Sequence, residues 1–75
     1  SVPSNIAEGS RRNSNKDFIR FLGIAQGSLA ELHTQLVISA KVGELSAEYL
    51  YWAEEQINRI KNRIYRLQEM LRSGI

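Results

Sequence analysis

Residues 18–36 read FIRFLGIAQGSLAELHTQL, and the spacing of the apolar residues in this stretch predicts a helix of a helical bundle. Its apolar residues recur at alternating steps of four and three, which is the seven-residue repeat of a helix that packs along one seam. Phe21 and Ile24 widen the seam into the broader stripe that is typical of a bundle helix. Extended on both sides, the predicted seam consists of Phe18, Leu22, Ala25, Leu29, Leu32, Leu36 and Ser39.

The pattern predicts a long helix over residues 14–43, with a recognisable signal at each end. Ser14 followed by Asp17 resembles a capping box, in which an acidic side chain meets unpaired amides at the start of a helix. Lys41 would lie in the last turn, where a cation is favourable, and Gly43 would end the helix.

A second long helix is predicted over residues 46–73. Its seam also steps by three and four, and it comprises Leu50, Ala53, Ile57, Ile60, Ile64, Leu67 and Leu71. Ser46 is the expected N-cap. Only the residues GELS at 43–46 separate the two helices, so we expect an antiparallel hairpin.

A hairpin of this kind cannot bury all of its apolar side chains. We expect it to leave a flanking set exposed, namely Phe21, Ile24, Val37, Ile38, Tyr49 and Trp52. The cover would come from further helices absent from this chain, from other subunits, or from both.

Composition limits the chain to one small domain, residues 1–75, which would be marginally stable as a lone monomer. Residues 1–13 are predicted to be the remnant of an earlier helix plus a linker, because EGSRRNSN at 8–15 reads as a turn. There is no cysteine, which agrees with a cytoplasmic setting and excludes thiolate chemistry. No apolar run is long enough to span a membrane. The formal net charge is only +2.

The phrase VPSNIAEGSRR at residues 2–12, followed by residues 18–36, resembles the four-helix bundle proteins of 23S rRNA intervening sequences. The resemblance implies a bacterial, all-α protein with four antiparallel helices per subunit, of which this chain lacks the first. It also implies a homo-oligomer, a homopentamer in characterised relatives. Those relatives include the accessory protein of diversity-generating retroelements, a basic pentamer that contacts nucleic acid and a reverse transcriptase.

Four polar residues lie in otherwise apolar surroundings: Asn5, Glu8, Ser28 and Glu31. One interpretation is a carboxylate pair that binds a metal or does acid–base work, but the only histidine, His33, faces a different direction from Glu31. The favoured interpretation is a buried hydrogen-bonded network that fixes helix packing, with Arg11, Arg12 or Arg20 as its cation. His33 is expected to be a partly exposed flanking residue.

Gly23 and Gly27 are one turn apart and would let another helix approach closely. Together with Phe21, Tyr49 and Trp52 they are the predicted residues of helix packing or oligomer contact.

The last helix carries a stripe of aromatic and basic side chains, namely Tyr49, Trp52, Gln56, Arg59, Arg63 and Arg66. Arginines beside aromatics can pair with phosphates and stack on bases. Arg11, Arg12, Lys61 and Arg72 could extend the same surface. The favoured interpretation of this stripe is a subunit contact, and nucleic-acid contact and an ordinary solvated face are the alternatives.

The sequence therefore predicts a non-enzymatic, homo-oligomeric helical bundle protein that needs no cofactor or metal. In the leading hypothesis the assembly binds RNA or DNA through its basic surface, alongside a protein partner. The alternative is a structural module that contacts only protein.

Overall fold

The computed structural model describes the backbone of residues 2–74 and the side chains of residues 11–74. These residues form two helices and no strand, so the protein is all-α. Helix α1 is Val2–Lys41 and helix α2 is Ala47–Arg72. No helix among the described residues is both long enough and apolar enough to cross a membrane.

Helix α1 is continuous, so the linker expected within residues 8–15 and the helix start expected at Ser14 are wrong. The stretch contains no proline, and its one glycine, Gly9, adopts helical dihedrals rather than a turn conformation. Serine, asparagine and arginine each cost well under about 1 kcal/mol relative to alanine in a helix. Polar composition alone is therefore insufficient to break α1.

Gly43 ends α1 by adopting a left-handed conformation, with φ of +85°. The amide of Gly43 donates to the carbonyl of Ala40 (3.1 Å), and the amide of Glu44 reaches back to the carbonyl of Ser39 (2.9 Å). These two bonds are the Schellman arrangement, which satisfies carbonyls at a helix C-terminus. The predicted stop at Gly43 is confirmed.

Ser46 starts α2, as predicted. Its backbone is extended and its hydroxyl accepts a hydrogen bond from the amide of Tyr49 at 3.0 Å. At the other end Ser73 caps the helix, and Gly74 takes a positive φ of 79°. Helix α2 thus matches the predicted range apart from the cap residue at each end.

The helices pack side by side in opposite directions and form a rod of 63 × 15 × 11 Å. The radius of gyration is 17.9 Å, whereas a compact chain of this length would have about 11 Å. Since Asn15 lies level with Leu71, the part of α1 before Asn15 projects beyond the end of α2. The rod is too thin to enclose a large core, and its only buried apolar side chains among the described residues are Ala53 and Ile57.

Candidate interaction surfaces

Hydrogen bonds cross between the helices at a regular interval. The ring of His33 bonds to the carboxylate of Glu54 (2.7 Å), and the amide of Gln26 donates to the carbonyl of Lys61 (3.1 Å). In a third bond the side-chain amide of Gln68 donates to the carbonyl of Ile19 (3.4 Å). Successive bonds are therefore seven residues apart on both helices. The seven-residue spacing keeps the bonds on one side of each helix, so the antiparallel register is fixed by polar as well as apolar contacts.

The observed seam differs from the predicted one by a small rotation, and most of the predicted residues stay in it. On α2 they are Leu50, Ala53, Ile57, Ile64, Leu67 and Leu71, all at least partly buried. Leu22, Leu29 and Leu36 lie in the seam as expected, but Phe18 and Leu32 are replaced at the interface by the residues that follow them. The residues of α1 that follow the seam are Asn15, Ile19, Leu22, Gln26, Leu29, His33, Leu36 and Ala40. On α2, Gln68 is buried while Ile60 is 45% exposed. The expected places of Phe18, Leu32 and Ile60 in a buried hairpin seam are thus wrong for this helix pair.

The rotation creates a continuous apolar surface on one side of the rod. Two antiparallel helices are related by a two-fold axis perpendicular to their common plane, so equivalent heptad positions face the same side. The residues one position before the hydrogen-bonded ones therefore align on one side, called here the apolar face: Phe18, Ala25 and Leu32 of α1 with Ile60 and Leu67 of α2. Phe21 borders this face, whereas Ala53, at the equivalent position of α2, is buried. This face resembles the inside of a helix bundle.

Of the residues predicted for packing, the three aromatic ones are exposed, whereas Gly23 and Gly27 lie on the side of α1 away from the apolar face. Phe21 is 59% exposed, and Tyr49 and Trp52 are about as accessible, with their rings 5.7 Å apart. A Cβ on Gly23 would come no closer than 4.0 Å to Gln68, and one on Gly27 would meet nothing within 4 Å. Neither glycine is therefore required by the hairpin itself.

The opposite side of the rod carries a groove of about 650 Å³. Its walls are Ala30 and Thr34 of α1 and Tyr51 and Asn58 of α2, with the His33–Glu54 pair at its floor. Both members of that pair remain more than a third exposed, so their attraction is screened by water. Among the described residues there is no group of three His, Cys, Asp or Glu side chains that could hold a metal ion.

Ser28 and Glu31, two members of the predicted polar network, are both exposed in the hairpin. Asn5 and Glu8, the other two, lie outside the described side chains. The buried network therefore stays a prediction that depends on further helices.

The predicted basic residues face solvent: Arg59, Arg63 and Arg66 of α2 and Arg11 and Arg12 of α1. Arg72 pairs with Glu69 one turn earlier at 2.7 Å. The guanidinium of Arg20 lies 4.9 Å from the ring centre of its neighbour Phe21. The structure thus leaves the arginine stripe accessible.

The sequence reasoning missed the polar seam, in which Gln26, His33, Glu54 and Gln68 take part. The signal was present, because Gln26 and His33 are seven residues apart, as are Glu54, Lys61 and Gln68. An apolar-only search overlooks such a repeat. His33 is partly exposed, as expected, but it belongs to the seam rather than to its flank.

These features define a class of protein: an antiparallel helical hairpin with an apolar face on one side and exposed arginines on the outer side of α2. The family model described as 23S rRNA-intervening sequence protein matches residues 1–73. The chain belongs to this family. No curated protein and no solved structure matches it.

Proposed function

We propose that this member of the 23S rRNA-intervening sequence protein family is a non-enzymatic, homo-oligomeric helical scaffold that binds RNA or DNA through a basic surface. Assembly comes first in this proposal. The bundle is completed around the apolar face, and the assembled subunits present their arginines together, with room for a protein partner.

The apolar face is the observation that carries the proposal. Phe18, Phe21 and Ile60 are each between 45% and 59% exposed, while only two apolar side chains among the described residues are buried. Burying a fully exposed side chain of this size contributes about 1.5–3 kcal/mol, so covering one that is half exposed contributes about half of that. An assembly that covers several of them gains enough to offset the entropy of association.

Native mass measurement on the full-length protein tests the assembly. We expect a mass several times that of one chain, five times if the number implied by the family resemblance holds. Replacing Phe21 by Gln should lower it, since this exposed ring contributes to the apolar face. A single-chain mass at micromolar concentration for the unaltered protein would contradict the proposal.

The second candidate function is a scaffold that contacts only protein. It is favoured by Tyr49 and Trp52, whose paired exposed rings resemble the aromatic anchors of protein interfaces. Reversing the charge of Arg59, Arg63 and Arg66 separates the candidates. Loss of nucleic-acid binding from an intact oligomer supports the first, whereas dissociation of the subunits supports the second.

A further inference from the structure

The antiparallel fold separates the charges of the chain along the rod. Residues 11–28 and 59–72 lie level with each other at the end away from the turn, and together they hold nine Lys or Arg against two Asp or Glu. Residues 29–58, which form the turn end, hold one Lys against five Glu. We call these regions the basic half and the turn half. Their formal charges are +7 and −4, and Glu8, which belongs to neither region, brings the whole sequence to +2.

The separation changes what a charged partner encounters. The rod is 63 Å long, while electrostatic interactions at physiological salt are screened over about 8 Å. A ligand near one end therefore responds to the local charge, and the modest net charge of the chain does not describe either end.

Both helices contribute to the basic half. Arg59, Arg63 and Arg66 lie on the outer side of α2, turned away from α1. Lys16 and Arg20 of α1 are also exposed, and the interhelical bonds of Asn15 and Ile19 hold them level with the last turns of α2. The guanidinium carbon of Arg20 lies over the ring of Phe21, 4.9 Å from its centre, and a cation–π contact of this kind does not use the N–H groups that bind an anion.

We infer that the basic half is a phosphate-binding surface built from both helices, with Lys16 and Arg20 as binding residues, and that it holds the backbone of RNA or DNA without reading its sequence. This inference rests on the proposed nucleic-acid function. It adds that contact is confined to the end away from the turn, because the five carboxylates of the turn half repel a polyanion.

Geometry and side-chain chemistry favour nucleic acid over other anionic partners. Arg59 and Arg66 are seven residues apart, about 10 Å along the helix axis, and successive phosphates of a duplex strand rise by about 3.4 Å. Arginines spread over about 10 Å can therefore reach more than one phosphate of the same strand. Seven of the nine cations of the basic half are arginine, whose planar fork binds phosphate oxygens in pairs.

Fluorescence anisotropy with a labelled 20-nucleotide RNA and a 20-base-pair DNA, at 50–200 mM NaCl, tests the inference. Two double variants of the full protein are compared, Lys16→Gln with Arg20→Gln on α1 and Arg59→Gln with Arg63→Gln on α2. The matched control is Lys41→Gln, which removes the single lysine of the turn half. Circular dichroism and native mass verify that each variant folds and assembles as the unaltered protein does.

A plot of log affinity against log salt concentration has a negative slope. We expect either double variant to reduce the magnitude of that slope by about 1.4–1.8, which corresponds to the loss of two phosphate contacts. The control should leave the slope unchanged. An unchanged slope for the α1 variant beside a lowered slope for the α2 variant would overturn the inference and leave the proposed function standing. Absence of binding by the unaltered protein at 50 mM salt would overturn both, as would binding to phosphatidylserine vesicles with none to nucleic acid.

Discussion

At the scale of single residues, burial divides isoleucines that look equivalent in the sequence. Ile57 and Ile60 both occupy the predicted seam of α2, three residues apart. In the structure Ile57 is 6% exposed, whereas Ile60 is 45% exposed on the apolar face. The difference arises because Lys61, not Ile60, occupies the hydrogen-bonded position opposite Gln26.

Replacing Ile57 by Ala should lower the free energy of unfolding by about 2–4 kcal/mol, since the cavity forms between the helices. The same change at Ile60 should lower the free energy of unfolding of the hairpin by only about 1 kcal/mol or less. Its main effect should be to weaken assembly, because Ile60 lies on the apolar face. Urea denaturation and native mass measurement distinguish the two effects. If both variants lost the same amount of unfolding free energy, Ile60 would be as buried between the helices as Ile57, which would contradict the observed seam.

At the scale of the helices, three glycines have different roles. Gly43 ends α1 with a positive φ that other residues adopt only with strain. Gly23 and Gly27 lie inside α1 at ordinary helical dihedrals, where glycine lowers the stability of a helix by about 1 kcal/mol relative to alanine. A helix that keeps such glycines without an internal reason points to a neighbouring helix that approaches there.

Gly27→Ala should therefore raise the stability of the isolated hairpin by about 0.5–1 kcal/mol, because a Cβ there meets nothing within 4 Å. Gly43→Ala should lower it by about 1–2 kcal/mol, because alanine resists the left-handed conformation. Thermal unfolding followed by circular dichroism at low protein concentration measures both. If Gly27 touches another subunit, its variant should also lose native mass.

At the scale of the whole molecule, the rod exposes its one tryptophan. Trp52 is 54% accessible in the hairpin and stacks only partly against Tyr49. Its fluorescence should therefore report whether a neighbour covers the Tyr49–Trp52 pair near the turn end of α2. No labelling is needed, because the chain contains a single tryptophan.

Dilution from about 100 μM to below 1 μM should shift the emission of Trp52 to longer wavelength as subunits separate and water reaches the ring. Phe21→Gln should move the transition to higher concentration, since it removes apolar surface from the interface. A spectrum that is independent of concentration, alongside a single-chain mass, would contradict assembly through this surface.

The sequence correctly predicts the two helices, the cap at Ser46 and the stop at Gly43. It does so because heptad spacing, an N-cap hydroxyl and a residue free to take positive φ act locally, within a few residues of chain. It also determined family membership, which the phrase at residues 2–12 indicates and which extends over residues 1–73. The linker within residues 8–15 was mispredicted because local polarity indicates solvent exposure without forbidding a helix.

Which side of each helix forms the seam depends on how the two helices pack against each other, and local sequence patterns do not specify it. Two adjacent heptad positions compete for that place, and the hydrogen bonds of Gln26, His33 and Gln68 select the partly polar one. That choice turns Phe18 and Ile60 outward and produces the apolar face. The tertiary structure also decided the charge separation, since residues 11–28 and 59–72 are far apart in the chain and come together only when the antiparallel hairpin closes.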